Sequence, residues 1–331
     1  MIVPSLLILG SLGLILLGSA LFTNGIEWIG KRFNLSAGAT GSVLSGVGTA
    51  LPETLIPFMA ILLGDKPAEK EIGIGAILGA PFMLTTLTLP IAGAGVYFLS
   101  KSGKRPDTFD LHLHEIGVDL KTFLGCFSLA ALAALLENRI FHMVTGIGLI
   151  LVYFYYLKVV FARPSAEHSD LDPLFIQKRN RHPGMLAIGT QTLTGLALIV
   201  GGADYFISGI VQTSAFFRIS PLILSLVITP VATELPEKFN SLIWISKRKD
   251  HLAISNVTGA LVFQSTFPVA IGLMGTVWHF DRFGMLNALL TLITALYLLT
   301  VIRIKGQWRS IHLIAGIISY AAFYFFLIFH P

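Results

Sequence analysis

Long apolar runs separated by short polar clusters divide the whole chain. Each run has roughly 20 residues, the length that an α-helix needs to cross the hydrocarbon core of a bilayer. Dividing the sequence at its polar clusters predicts ten spans, near residues 4–24, 38–63, 72–99, 118–136, 140–161, 185–210, 219–246, 252–278, 284–303 and 309–328. The pattern therefore predicts an all-α membrane protein with ten transmembrane helices.

The composition agrees with this class, because 54% of the 331 residues are hydrophobic and only 12% are charged. The first apolar run has no basic stretch before it and no small-residue cleavage site, so we expect a retained helix and not a signal peptide. The single cysteine, Cys126, lies in an apolar segment and cannot form an internal disulfide.

Basic residues are distributed unevenly between the two sets of alternating loops. One set holds seventeen of them: Lys31, Arg32, Lys101, Lys104, Arg105, Lys121, Lys158, Arg163, Lys178, Arg179, Arg181, Lys247, Arg248, Lys249, Arg303, Lys305 and Arg309. The other set holds five: Lys66, Lys70, Arg139, Arg218 and Arg282. Cytoplasmic loops are enriched in Lys and Arg, so this bias predicts a plasma (inner) membrane protein with both termini outside. The formal charge of +5 then reflects orientation and does not indicate nucleic-acid binding.

The two halves of the chain are related. The longest polar stretch, residues 163–184, is the predicted cytoplasmic loop between a first repeat, 1–162, and a second, 185–331. At a constant offset of 184 the halves pair Phe33 with Phe217, Ser36 with Ser220, Ser45 with Thr229, Thr49 with Thr233, Pro52 with Pro236 and Glu53 with Glu237. Five spans per half is an odd number, so the second half enters the membrane from the opposite side. Such inverted-topology repeats are typical of transporters whose site lies near the bilayer midplane.

Each half places a glutamate behind a proline within a predicted span. "GTALPE" at 48–53 ends in Glu53, and "ATELPE" at 232–237 ends in Glu237. A buried carboxylate is costly and needs a cation, a hydrogen-bond donor or a proton. The prolines remove backbone donors, and the carbonyl groups they release can line a cavity.

Oxygen-bearing side chains precede both glutamates at intervals of four, which puts each set on one face of a helix. The sets are Ser45, Thr49 and Glu53 in the first half, and Thr229, Thr233 and Glu237 in the second. Ser45 and Thr229 could instead donate to carbonyls of their own helix. Two such stripes brought together would form a site for a hard cation.

The chain resembles the calcium:cation antiporter superfamily, which includes the sodium/calcium exchangers. That family carries G-T-S-x-P-E followed by G-N-x-x-G-S-N in each of two inverted halves. Here the counterparts are "GTALPE" with "GIGAILGAPFML", and "ATELPE" with "AISNVTGALVFQ". The resemblance covers nearly the whole chain.

The resemblance implies secondary active antiport of a cation, with calcium exchanged for sodium or protons. In that family the two glutamates ligate the cation, and the threonine four residues earlier contributes an oxygen. These positions are Glu53, Glu237, Thr49 and Thr233 in this sequence. The mechanism implies no cofactor, and no Walker-type GxxxxGK[ST] is present.

The sequence departs from the family on the third and eighth helices, which supply the remaining ligands. The aligned residues are Ala80 and Leu84 in the first half and Ala260 and Gln264 in the second, and only Gln264 has a side chain that can ligate. Because these ligands are missing, we expect either an unusual calcium site or a site for another cation.

A third acid, Glu234, stands where the motif has a small residue, and Lys238 follows Glu237. Three neighbouring carboxylates cannot all ionise without a cation, because like charges raise one another's proton affinity. We hypothesise that protons are the returning ion. Alternatively, Glu234 pairs with Lys238 and has no direct role.

Other interpretations stay open. Glu53 and Glu237 could be structural carboxylates, and Asp204 in the sixth span could serve gating or local pairing. The protein could be a passive cation channel or a relative that does not transport, and an intramembrane hydrolase with a carboxylate dyad is a third class. The "HLH" at 112–114 is expected to be a solvated edge and not a zinc site.

Overall fold

The structure is a computed structural model that describes residues 2–33, 53–161, 172–178 and 183–329. Its helices are α1 Ile2–Arg32, α2 Glu53–Leu63, α3 Pro67–Lys101, α4 Leu113–Ala133, α5 Arg139–Phe161, α6 Met185–Phe217, α7 Pro221–Thr233, α8 Leu235–Ser246, α9 Asp250–Gln264, α10 Phe267–Gly275, α11 Arg282–Lys305 and α12 Ser310–Phe329. No strand occurs within the described ranges; one isolated bridge joins Thr108 and Arg309.

Eight helical segments of the described chain are long and apolar enough to cross a membrane, with α9 and α10 forming one segment. The described part of α2 and helix α7 are apolar but shorter. These segments confirm the predicted class, an all-α membrane protein. The number of ten spans and the inverted repeat remain predictions.

Helices α1 and α6 extend past the predicted ends of their spans, 24 and 210. The predicted spans end where polar residues interrupt the apolar pattern. In the structure one of these polar residues, Asn24, is buried and hydrogen-bonded to a residue of α6. The Gln191 Nε2 group of α6 donates to Asn24 Oδ1 at 2.8 Å. An interhelical hydrogen bond of this kind makes a polar residue compatible with the interior of a bundle.

Glycines bring α1 and α6 into close contact, and the contacts are reciprocal. A Cβ added at Gly18 would lie 2.9 Å from Ile199 Cγ1, and one added at Gly202 would lie 2.7 Å from Ile15 Cγ1. Gly18 and Gly202 are 184 positions apart, and so are Ile15 and Ile199. A twofold axis between two halves generates contacts of this form.

Helix α3 packs against α7 through two glycines one turn apart. A Cβ at Gly75 would lie 2.3 Å from the Leu222 carbonyl oxygen, and one at Gly79 would lie 2.4 Å from that of Leu226. Small residues at this spacing let two backbones approach closely. The Leu226 carbonyl has no amide to accept from four residues later, because position 230 is a proline.

A buried ion pair joins the segment after α3 to the beginning of α9. The Arg105 guanidinium contacts both oxygens of Asp250, with Nη1 at 2.8 Å from Oδ1. Arg105 also donates to the Ile245 and Thr108 carbonyls, and the Asp110 amide donates to Asp250 Oδ2 at 3.1 Å. The side chains of Arg105 and Asp250 are only 4% and 2% exposed.

Candidate ion-binding site

The glutamate of the first motif meets a polar residue of the second half. Glu53, at the beginning of α2, is only 5% exposed. Gln264, the last residue of α9, donates from Nε2 to Glu53 Oε1 at 3.2 Å, although the two residues are 211 positions apart. The structure therefore brings together two of the residues that the sequence selected.

Gln264 has a second polar atom in the same buried position. Its side chain is 2% exposed, and its Oε1 atom has no hydrogen-bond partner among the described residues. Leaving a buried acceptor unsatisfied costs about 1–3 kcal/mol. A bound cation would satisfy this oxygen, and an amide oxygen beside a carboxylate is a ligand set that hard cations favour.

The second motif lies at a break between two helices. Helix α7 ends at Thr233 and α8 begins at Leu235, with Glu234 between them at φ −92° and ψ 2°. Prolines at 230 and 236 explain the break, because each lacks the amide that a continuous helix requires. Glu234 is fully buried at this break. Because of this interruption, the positions of Glu234 and Glu237 relative to each other do not follow from helical spacing.

The two threonines of the second stripe are buried, and their hydroxyl protons are already used. Thr233 Oγ1 donates to the Thr229 carbonyl at 3.1 Å. Ser225 donates to the Ile72 carbonyl, so Thr229 is the donor in its 2.9 Å contact with Ser225 Oγ. A hydroxyl oxygen that donates its proton keeps its lone pairs, so either threonine can still ligate a cation.

Several predicted site residues have no described side chain. Ser45 and Thr49 lie outside the described residues, and at Glu237 the structure describes only the helical backbone of α8. Their part in the site stays a prediction. Asp204 is exposed on α6, so its side chain points away from the bundle interior.

Three of the four aligned positions on the third and eighth predicted helices have hydrocarbon side chains. Ala80 and Leu84 are buried in α3, and Ala260 is half-buried in α9. Ala80 precedes Gln264 by 184 positions, so it occupies the equivalent place in the first half. The amide that Gln264 supplies to Glu53 therefore has no counterpart at position 80.

Asp119 of α4 is a buried carboxylate that no motif or spacing in the sequence indicates. Asp119 is fully buried and accepts hydrogen bonds from Thr258 Oγ1 at 2.7 Å and from the Tyr156 hydroxyl at 3.0 Å. Asp119 lies at the edge of the predicted span 118–136, where the apolar pattern does not indicate whether a polar residue is buried. Thr258 lies on α9, the helix that ends in Gln264, so α9 makes polar contacts with two other helices.

The chain is similar to known proteins over most of its length. It matches the profile of the family described as sodium/calcium exchanger protein over residues 3–162 and 190–330. A candidate antiporter of Alkalimonas amylolytica, CaxA, is 27% identical, with 99% of each chain covered. An uncharacterized membrane protein of Methanocaldococcus jannaschii is 25% identical, with 92% of this chain and 93% of that protein covered.

Solved exchanger structures share the fold. The H⁺/Ca²⁺ exchanger CAX matches with a TM-score of 0.72 at 15% identity, over 99% of this chain and 82% of that one. The sodium-calcium exchanger NCX_Mj matches with a TM-score of 0.60 at 19% identity, over 100% and 99%. The resemblance inferred from the paired motifs is confirmed by the family match, and the chain belongs to the sodium/calcium exchanger family.

Proposed function

We propose that this protein is a secondary active antiporter that exchanges calcium for protons or sodium at a buried site containing Glu53 and Glu237. The family consists of exchangers and not enzymes, and membership in it supports cation antiport as the general activity of this chain. The observation that carries the specific proposal is the buried contact between Glu53 and Gln264. It joins the two halves of the chain at a carboxylate, and the unsatisfied Gln264 Oε1 adds a second oxygen ligand.

Transport requires that the site open alternately to the two sides of the membrane. Helix α1 packs chiefly against α6, so these two helices can move as a pair across the other helices. In the proposed cycle Glu53 and Glu237 bind calcium from one side, release it after the pair moves, and take up the counter-ion for the return. One shared site makes the two fluxes obligatory partners.

The proposed architecture is two inverted repeats of five spans. The reciprocal contacts of Gly18 and Gly202 support a twofold relation, and the family profile matches the two halves as separate segments. Helices α7 and α8 together fill the predicted span 219–246, and α2 forms the end of the span 38–63.

The proposed orientation has the loop 163–184 in the cytoplasm and both termini outside. A reporter active only in the cytoplasm should be silent when fused after Pro331 and active when inserted between 163 and 184, because seventeen basic residues lie on the loop's side. Protease accessibility in sealed vesicles gives an independent measurement. A cytoplasmic C-terminus would contradict both the orientation and the inversion.

Protons are the preferred counter-ion in this proposal. Glu234 is fully buried three positions before Glu237, and neighbouring carboxylates raise one another's proton affinity. At least one of Glu53, Glu234 and Glu237 then carries a proton in the unloaded site. Of the proteins sharing the fold, one is an H⁺/Ca²⁺ exchanger and another a sodium-calcium exchanger, so both counter-ions require testing.

Calcium uptake into liposomes should follow an imposed pH gradient without sodium, and it should weaken in Glu234→Ala. The reason is that removing the third carboxylate reduces the proton affinity of the site. Sodium-loaded liposomes at uniform pH provide the comparison, and potassium and manganese offered in place of calcium test the choice of cargo. Uptake that requires sodium and is indifferent to both pH and Glu234 would exclude protons.

A passive cation channel or a relative that does not transport is the second candidate. The observation behind it is that Ala80, Leu84 and Ala260 bring no oxygen to the site. Counter-ion dependence separates the candidates, since uptake by an antiporter requires a counter-ion on the opposite side and channel flux does not.

A further inference from the structure

We propose that His112, Glu115 and His251 form a second ion site, which binds a divalent transition-metal ion of the zinc class. His112 immediately precedes α4, and Glu115 lies in the first turn of that helix. His251 is the second residue of α9. The three side chains therefore join the N-terminal ends of two helices next to two basic loops.

The three side chains are close enough to share one ion. His112 Nδ1 lies 3.1 Å from Glu115 Oε1, and His251 Nε2 lies 3.5 Å from Glu115 Oε2. One ligand atom from each residue lies within 4.8 Å of the others. Ligand atoms around a tetrahedral zinc are roughly 3.3 Å apart, given bonds of about 2.0–2.1 Å. The two imidazole rings pack against each other with their centroids 4.1 Å apart, so they must rotate apart for both to face one ion.

The surrounding contacts hold the second histidine in place. The His112 backbone amide donates to His251 Nδ1 at 3.4 Å, which leaves Nε2 facing Glu115. The preceding residue, Asp250, is fixed by its buried pair with Arg105. A metal-binding histidine carries its proton on the second ring nitrogen. In the metal-free protein Nδ1 accepts this long contact, so binding of an ion at Nε2 must move the ring proton to Nδ1 and break the contact with the His112 amide.

The chemistry of these ligands differs from that of the site at Glu53. Two imidazoles and one carboxylate suit zinc and related ions, whereas calcium takes oxygen ligands. Gln264 lies thirteen residues after His251 on α9, or about 20 Å along a helix axis. The His112 side chain is 69% exposed, so an ion from solvent can reach the site without passing through the transport pathway.

The same three groups could instead share protons in a hydrogen-bonded cluster that holds no metal. Cobalt(II) distinguishes the two cases, because it replaces zinc in nitrogen and oxygen sites and its visible absorption reports the coordination. The experiment uses the full chain in detergent with no histidine tag. We expect one Co²⁺ per protein, displaced by Zn²⁺ and not by an equal concentration of Ca²⁺.

The variants His112→Ala and His251→Ala should each lower Co²⁺ affinity by at least about tenfold. His114→Ala is the matched control, since His114 is exposed in the same turn and lies outside the cluster. Elution as a single species and an unchanged metal-free unfolding midpoint establish that His112→Ala is folded. Absence of the Co²⁺ bands, or equal affinity in the wild type and both histidine variants, would overturn the proposal whatever the transport assays show.

Discussion

Replacing Glu53 with Gln should reduce calcium exchange in liposomes to background, and Glu237→Gln should do the same. The substitution removes a full negative charge from a site of low dielectric constant, where its attraction to a divalent cation is strongest. A Gln at position 53 retains an oxygen that can accept the hydrogen bond from Gln264 Nε2, so we expect the protein to fold. A loss of at least about a hundredfold in flux corresponds to about 2.7 kcal/mol.

Asp204→Asn is the control for this loss. It also neutralises a carboxylate on a membrane helix, but Asp204 is exposed on α6 and should not contribute to binding. Its flux should equal that of the natural protein. Monodisperse elution of all variants in detergent would show that a loss of flux does not result from misfolding. Normal exchange in both Glu53→Gln and Glu237→Gln would end the shared-site proposal.

Gln264→Ala should have a smaller effect than Glu53→Gln. The change removes one neutral oxygen ligand but leaves the carboxylate in place, so we expect a higher calcium concentration at half-maximal uptake with flux still measurable. Calcium titration of uptake in the two variants provides the comparison. A complete loss of flux in Gln264→Ala would show that this amide is essential to the site and is not merely an additional ligand.

The fold class and some residues of the candidate site could be proposed from the sequence because their signals are local. Apolar runs of sufficient length indicate membrane helices, and the repeated proline and glutamate motifs select Glu53 by residue type and spacing alone. The prolines also indicate a disturbed helix. They do not show that the interruption falls at Glu234, because that depends on how the two helix ends pack.

Contacts between distant parts of the chain could not be predicted in this way. His251 meets Glu115 from 136 positions away, so no spacing within "HLH" could indicate a three-residue cluster. Asp119 is similar, because its partners Tyr156 and Thr258 come from two other helices. Asp119 lies two residues before Lys121, and neighbouring charges of this kind are typical of a helix end. Only the packing of the three helices reveals that Asp119 is buried.

Arg105→Ala should destabilise the folded protein by about 3–5 kcal/mol, since it leaves the buried Asp250 carboxylate without its cation. The Asp110 amide still donates to that carboxylate, but one neutral donor does not replace a bidentate guanidinium. The measurement is the unfolding midpoint in detergent.

Arg309→Ala is the matched control for this destabilisation, because Arg309 pairs with Asp107 at 3.1 Å while its own side chain is 55% exposed. Exposed pairs contribute about 0–1 kcal/mol, so the control midpoint should hardly move. Arg105→Met combined with Asp250→Leu should recover much of the loss, because the buried charge is then removed together with its partner. Equal midpoints for Arg105→Ala and Arg309→Ala would show that the buried pair does not hold the beginning of α9 in place.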